Sequence, residues 1–430
     1  MKQSIGLALV IAAISAPLMA GDWTQFRGPT RDGIASETGL LKQWPEQGPK
    51  MVWSYKDLGK GYASLTVVGG KIYTTGCEEK TGFLYAFDTS GKLLWKVPYG
   101  PEWTGSNPGT RTTPTFDGGK LYLMSGQGLM TCRNASDGKE VWAVDTAKKF
   151  GGKNIQWGIA ESVLIAGDKV ICTPGGSNAS VVALNKATGE TIWTTKDMSN
   201  KSAYCSPLLI DRGGKKIILT ILDTEIVGIN LADGKTLWHV PHKVSYDINA
   251  VSPAYKDGKI YVTNGYKHGG LMMELSADGS AVTKKWTEKD LDVHHGGVVI
   301  VGTDIIGANT DGKWMCLDIA TGKVKYADKL VGKGSVCYAE GLLYGYGENG
   351  TVGLIQPGPK NFKLISSFSI KLGDAEHWAH PVVSNGVLYI RHGKALMAFD
   401  IKAKDQSKTQ TQPETKPKPE TKPKPKAKAG

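Results

Sequence analysis

Cysteine is scarce in this chain and is never arranged for chemistry. Six cysteines occur in 430 residues, at positions 77, 132, 172, 205, 316 and 337, with no two adjacent and none in a C-x-x-C spacing. That excludes a c-type haem attachment, a zinc ribbon and a thioredoxin-like redox pair. Their separations define no disulfide framework. Cys132, Cys172, Cys316 and Cys337 lie in apolar runs, where a free thiol behaves as a small buried hydrophobe. Long apolar stretches are missing too. The run at residues 5–16 is too short to cross a bilayer, so no transmembrane segment is expected. No segment sustains a helical period, which argues against helical and α/β classes. No Ser/His/Asp arrangement or carboxylate pair stands out.

What the chain does contain is a repeat. Trp53, Trp95, Trp142, Trp193, Trp238 and Trp286 recur about every 40–50 residues, and Tyr326 and Phe368 continue the series. Each unit has three short apolar runs joined by Gly-rich turns, then an Asp-Gly or Thr-Gly turn and a last strand carrying the aromatic residue. Gly69-Gly70-Lys71, Asp137-Gly138-Lys139, Thr188-Gly189-Glu190 and Asp233-Gly234-Lys235 are such turns, and pairs of β-forming runs joined this way are hairpins. Four short strands per unit at this period indicate a β-propeller. Eight units open near Ser64, Thr113, Ser162, Ser206, Ser252, Gly297, Ser335 and His380. The eighth supplies only three strands, at 381–383, 387–391 and 395–400; an orphan strand stands at 51–55. The expected architecture is therefore all-β: an eight-bladed, WD40-like β-propeller of four-stranded antiparallel blades, closed by the N-terminal strand.

The ends differ from the repeat. Residues 1–20 read as a cleaved secretory signal, with Lys2 before the apolar run and small Ala16 and Ala20 before the junction. No cysteine at the junction could take a lipid anchor. Residues 21–50 form a leader packed on the propeller, 51–403 the propeller, and 404–430 a Lys/Pro-rich tail expected to be disordered. The tail holds eight Lys against three acids, +5 of the formal +12. It serves either as a solubilising tail or as a contact with an anionic surface such as lipid head groups. The product is expected to be periplasmic or secreted, a monomer, and not a nucleic-acid binder.

The repeat runs Gly-Lys-Ile/Leu-Tyr, then Leu-x-Ala-Phe/Leu-Asp/Asn, then Ala-Thr-Gly-Glu/Lys-x-x-Trp. It resembles the pyrroloquinoline-quinone (PQQ) repeat over roughly residues 51–401. Its closest copies run from Ala183-Leu184-Asn185 to Trp193 and from Leu317-Asp318 to Gly322-Lys323. The opening Trp23-Thr24-Gln25-Phe26-Arg27-Gly28-Pro29 is similar to the leader of PQQ-binding-like propellers. The resemblance implies a secreted propeller related to quinoprotein dehydrogenases and to the scaffold lipoprotein of outer-membrane β-barrel assembly. For a quinoprotein it implies PQQ stacked on a Trp, a Ca²⁺ with carboxylate ligands and an Asp base. The adjacent Cys-Cys pair of many PQQ alcohol dehydrogenases is absent, and the blades are nearly minimal in length.

In a propeller, the residues before each innermost strand converge on one mouth of the central channel. Here that ring includes Arg111, Trp157, Glu161, Tyr204, Asn249, His295, Lys333, Trp378 and His380, which are expected to line the mouth as a ligand site. Aromatic faces suit stacking and a few polar groups fix orientation. Arg111 and Lys333 suit carboxylates, and Glu161 and Asn249 are the oxygen donors available for a Ca²⁺. Blander roles stand beside these: the recurrent Ser/Thr bonds a neighbouring blade, Trp157 and Trp378 plug the channel, and Arg111 pairs only with Glu161. Adjacent His294 and His295 are expected to point to different sides, so that both do not serve one metal. Two functions stay open. The first is a binding or protein–protein scaffold module with a small-molecule or protein partner. The alternative is a PQQ-dependent alcohol or sugar oxidoreductase, with PQQ and Ca²⁺ as cofactors. No catalytic residue is assigned.

Overall fold

The computed structural model describes residues 21–403. The expected signal (1–20) and tail (404–430) lie outside the described residues. Eight antiparallel sheets form a ring of blades. The first blade runs outward through Thr66–Val68, Lys71–Glu78, Thr81–Asp88 and Leu93–Pro101. Its first hairpin turns at Gly69-Gly70, both with positive φ (54° and 73°), the two-residue turn whose twist matches the flanking strands. Second and third strands are flanked by neighbouring blades on both faces, so Ile72–Cys77 is buried throughout and alternation gives way to a continuous apolar run.

Four tryptophans of the repeat each lock a blade to its neighbour. Trp53 donates from Nε1 to the Thr89 carbonyl of the adjoining blade (2.9 Å). Trp142 does so to Lys186 (3.0 Å), Trp193 to Leu231 (3.0 Å) and Trp286 to Ile319 (3.3 Å). Each indole lies on the glycine of the turn it bonds. A Cβ at Gly91 would stand 2.5 Å from Trp53, and one at Gly234 would stand 2.5 Å from Trp193. The turn glycine therefore supplies a left-handed φ and a flat seat for the preceding blade's indole.

Closure is as the repeat count requires: Lys50–Tyr55 pairs antiparallel with Ala395–Asp400, Met51 opposite Phe399 and Trp53 opposite Ala398. One blade departs from four strands. Ile34–Ala35 pairs parallel with Gly334–Ala339, so the seventh blade has five. All six cysteines are buried and free. No helix among the described residues is long and apolar enough to cross a membrane.

The leader threads the channel. Trp23 exchanges backbone hydrogen bonds with Val67 (2.7 and 2.9 Å). Arg31 then reaches inward, donating to the carbonyls of Ser162 (2.8 Å), Val163 and Pro207 (2.9 Å). Arg27 donates to Val298 on the opposite side (2.5 Å) and to Asp32 (2.9 Å). Both guanidiniums are buried. Inner-strand carbonyls facing a channel have no ladder partner, and the two arginines satisfy them.

Candidate functional site

Hydroxyls stitch the innermost strands of five blades. The backbone N–H of Ser64 donates to Thr113 Oγ1 (3.1 Å), Thr113 to Ser162 Oγ (2.9 Å), Ser162 to Ser206 Oγ (2.9 Å) and Ser206 to Ser252 Oγ (3.0 Å). This is the neighbouring-blade role expected for the recurrent Ser/Thr. Above it opens a bowl of about 390 Å³, within the size range of small-molecule sites. Phe26, carried in by the leader, packs edge-on to His380 with ring centroids 5.0 Å apart, and both line the bowl along with Ser162 and Ser206.

Six of the nine expected residues line the bowl: Arg111, Trp157, Tyr204, His295, Trp378 and His380. Their aromatic members meet in pairs, Trp157 with Tyr204 at 6.1 Å, Tyr62 with Trp378 at 4.9 Å and Trp378 with His295 at 5.5 Å. Arg111 lies 5.8 Å from the Tyr62 ring centre. It donates to the backbone carbonyls of Gly109, Ser106 and Asn107, and no carboxylate pairs with it among the described residues. The expected alternative, an Arg111–Glu161 pair, does not form. Burial lowers the Arg111 pKa, with Glu102 opposing. His380 is pushed down to about 3, by burial first and then by Arg27, so the imidazole is neutral and donates from Nε2 to the His295 carbonyl (3.1 Å).

Glu161, Asn249 and Lys333 fall outside the lining, contrary to expectation. Glu161 and Asn249 are wholly buried because they wedge the lead-in loops between blades. Glu161 Oε2 accepts from the Thr173 N–H (3.0 Å) and hydroxyl, and burial raises its pKa to about 7. Asn249 donates to the Leu222 carbonyl (3.1 Å) and accepts from Asn264 (2.9 Å). Glu102 is a third such wedge, accepting from the N–H groups of Trp103 and Gly126 (3.1 Å each). Lys333 turns to Glu348 (2.9 Å) and His294 Nδ1 (2.9 Å).

One expectation about geometry is reversed. His294 and His295 do not diverge; with Glu348 their ligand atoms all lie within 4.8 Å of one another. The chain here is a bend rather than a strand, so strict alternation of sides does not apply.

Residues missed by reading only lead-in loops include Phe26, Asn107 and Tyr266. Tyr266 comes from the turn between the second and third strands of the fifth blade, which opens on the same face. It sits at φ 58°, as does Tyr246 of the adjoining loop, and the two rings meet edge-on at 5.5 Å. Left-handed conformations at large residues cost roughly 1–3 kcal/mol and concentrate at binding surfaces. The signal was present in Gly265-Tyr266 as an aromatic residue inside a Gly-flanked turn.

The lining contains no Asp or Glu. The donors a Ca²⁺ requires are carboxylate and amide oxygens, and the two expected to supply them are buried between blades. The bowl offers flat faces and a guanidinium for a planar anion, but its residues do not fit a Ca²⁺–quinone centre.

Residues 80–327 match the family model described as outer membrane protein assembly factor BamB. A tetrathionate hydrolase of Acidithiobacillus ferrooxidans is 26% identical over 235 residues, 42% of this chain and 46% of that protein. The quinoprotein alcohol dehydrogenase PedH of Pseudomonas putida is 26% identical over 185 residues, 41% of this chain and 29% of that one. The chain thus spans less than half the length of these curated relatives. Among solved structures, BamB from Moraxella catarrhalis superposes with a TM-score of 0.60 at 15% identity, over 83% of this chain and 98% of that one.

Proposed function

This chain belongs to the PQQ-repeat propeller family whose model is described as outer membrane protein assembly factor BamB, and from that premise we propose that it is a binding module. Its bowl takes a planar organic anion, or an aromatic anionic group on a partner protein. One observation carries the reading: an aromatic-lined concavity holds a guanidinium that makes no ion pair with a carboxylate among the described residues, and no acid is among the residues lining it. Aromatic rings offer contact area at low entropic cost, and Arg111 fixes the charged end. The signal-like residues 1–20 support a compartment beyond the inner membrane, and the basic 404–430 segment suits a second contact with an anionic surface.

Trp157 and Trp378 make the bowl its own reporter. Titration with PQQ, and with a series of aromatic carboxylates, should quench tryptophan fluorescence saturably. Arg111→Ala should weaken that binding by about 10–100-fold, the scale of a charged hydrogen bond, measured below the variant's own melting transition so that only folded protein is titrated. Equal quenching in Arg111→Ala and native protein would sink the proposal.

A quinoprotein oxidoreductase is the second reading, favoured by the stacking faces and by the quinoprotein relative. Dye-linked oxidation of alcohols and sugars after loading with PQQ and Ca²⁺ tests it. On the donor set described above, binding without turnover is expected.

A further inference from the structure

At the edge of the bowl, two histidines, a carboxylate and an ammonium crowd into one spot. His294 and His295 line the bowl, whereas Glu348 and Lys333 do not. His295 Nε2 and Lys333 Nζ both meet Glu348 Oε1, and Lys333 Nζ also stands 2.9 Å from His294 Nδ1. An ammonium only donates, so His294 Nδ1 is the acceptor and its lone pair points at a cation. The other ring nitrogen, Nε2, meets the Tyr266 hydroxyl at 3.1 Å. That contact fixes both tautomer and ring orientation, as the outer partner of a metal-ligating histidine does.

We propose that His294, His295 and Glu348 form a binding site for a divalent transition-metal ion of the zinc class, with the Lys333 ammonium as the group the ion displaces. The three ligand atoms lie within 4.8 Å of one another. Around a tetrahedral zinc they would stand roughly 3.4 Å apart, given metal–ligand lengths of about 2.1 Å. Small side-chain rotations supply that spacing: His295 and Glu348, now in direct contact, draw apart, and the ion enters between them and His294. Two imidazoles and one carboxylate are a donor set that selects such ions over Ca²⁺ or Mg²⁺, which take oxygen.

Two features of the cluster make displacement feasible. Lys333 retains 22% of its side-chain exposure, so its flexible stem can carry the charge to water. His295 Nε2 faces a carboxylate oxygen and therefore carries its proton, which must leave for the metal to bind. The buried Nδ1 of the same ring has no partner among the described residues and can receive that proton. Glu348 Oε1 already accepts from His295 Nε2 and Lys333 Nζ. With the ammonium gone, the ion takes over neutralisation of that carboxylate.

The test is calorimetric titration of the full chain with ZnCl₂, repeated with CoCl₂, whose visible bands report nitrogen ligation. One equivalent of Zn²⁺ should bind. His295→Ala and Glu348→Gln should each lower affinity at least tenfold. Lys333→Met, which removes the competitor, should raise it about tenfold, and this gain does not depend on a disruptive substitution. Melting temperatures would confirm that each variant is folded. Absence of saturable binding in both native protein and Lys333→Met overturns the proposal. So does binding that survives His295→Ala or Glu348→Gln, or an affinity unchanged by Lys333→Met.

Discussion

The inner ring has two arcs built by different means. From the first to the fifth blade, neighbours are joined by backbone N–H groups donating to hydroxyls, Ser64 through Ser252. From the sixth to the eighth, hydroxyls give way to close backbone approach. A Cβ on Gly296 would stand 1.8 Å from the Gly334 carbonyl oxygen, and one on Gly297 2.2 Å from Arg27 Nη1. Val336 donates directly to the Gly296 carbonyl (3.3 Å), and the buried Ser335 hydroxyl has no partner among the described residues. The regular arc repeats one local rule. The irregular arc breaks it, and there the leader's Arg27 and Phe26, the paired histidines and Lys333 gather. Departures from a repeat's own rule are where function is expected to sit.

The largest effect is expected where the irregular arc is tightest. Gly296→Ala places a methyl against rigid backbone, and should destabilise the ring by about 3 kcal/mol or more, read as a shift in the denaturation midpoint at unchanged slope. A neutral result would mean that the two arcs are not packed differently. Next comes the wedge that serves the regular arc. Glu161 has its folded pKa raised from 4.5 to about 7 by burial, so between those values the folded state holds a proton that the unfolded state has lost. Stability from this group is therefore present below about pH 4.5 and declines as pH rises to about 7. Glu161→Gln should remove about 3 kcal/mol of that decline. The check is the difference between variant and native protein in melts from pH 4.5 to 7.5, because Glu102, also raised to about 7 by burial, and the buried His380, lowered to about 3, titrate alike in both.

The smallest effects sharpen the contrast best. Ser162→Ala strands the Thr113 N–H, a loss of about 1–2 kcal/mol. Ser335→Ala deletes a hydroxyl that bonds nothing among the described residues and should change stability by less than about 0.5 kcal/mol. Equal losses at the two serines would erase the distinction between arcs.

The ring was legible because its signal is redundant: eight aromatic positions and eight glycine turns each demand the same unit. Closure followed from counting, since an orphan strand at one end matched a missing strand at the other. The fifth strand of the seventh blade was not legible, because Ile34–Ala35 is too short to carry a pattern. At the mouth, position along the chain gave the loops but not the direction of side chains within them. Trp157 and Trp378 turn inward. Glu161 and Asn249, a few residues away in equivalent loops, turn between blades because buried N–H and carbonyl groups there need partners. Phe26 was invisible as a site residue, since nothing in the leader's sequence says that it enters the channel. The two histidines were misjudged because a rule for strands was applied to a bend.

The antiparallel pairing of Lys50–Tyr55 with Ala395–Asp400 also sets a clock. The strand that completes the last blade is made among the first, and its partner among the last. As the chain is synthesised, seven blades can gather while the earliest strand waits with an unpaired edge, the kind of edge that invites association with other chains. Joining the ends is a long-range step that nothing local can accelerate. Maturation of this propeller should then show a late, concerted phase that begins only once residue 400 is free, with a truncation before residue 395 held open indefinitely.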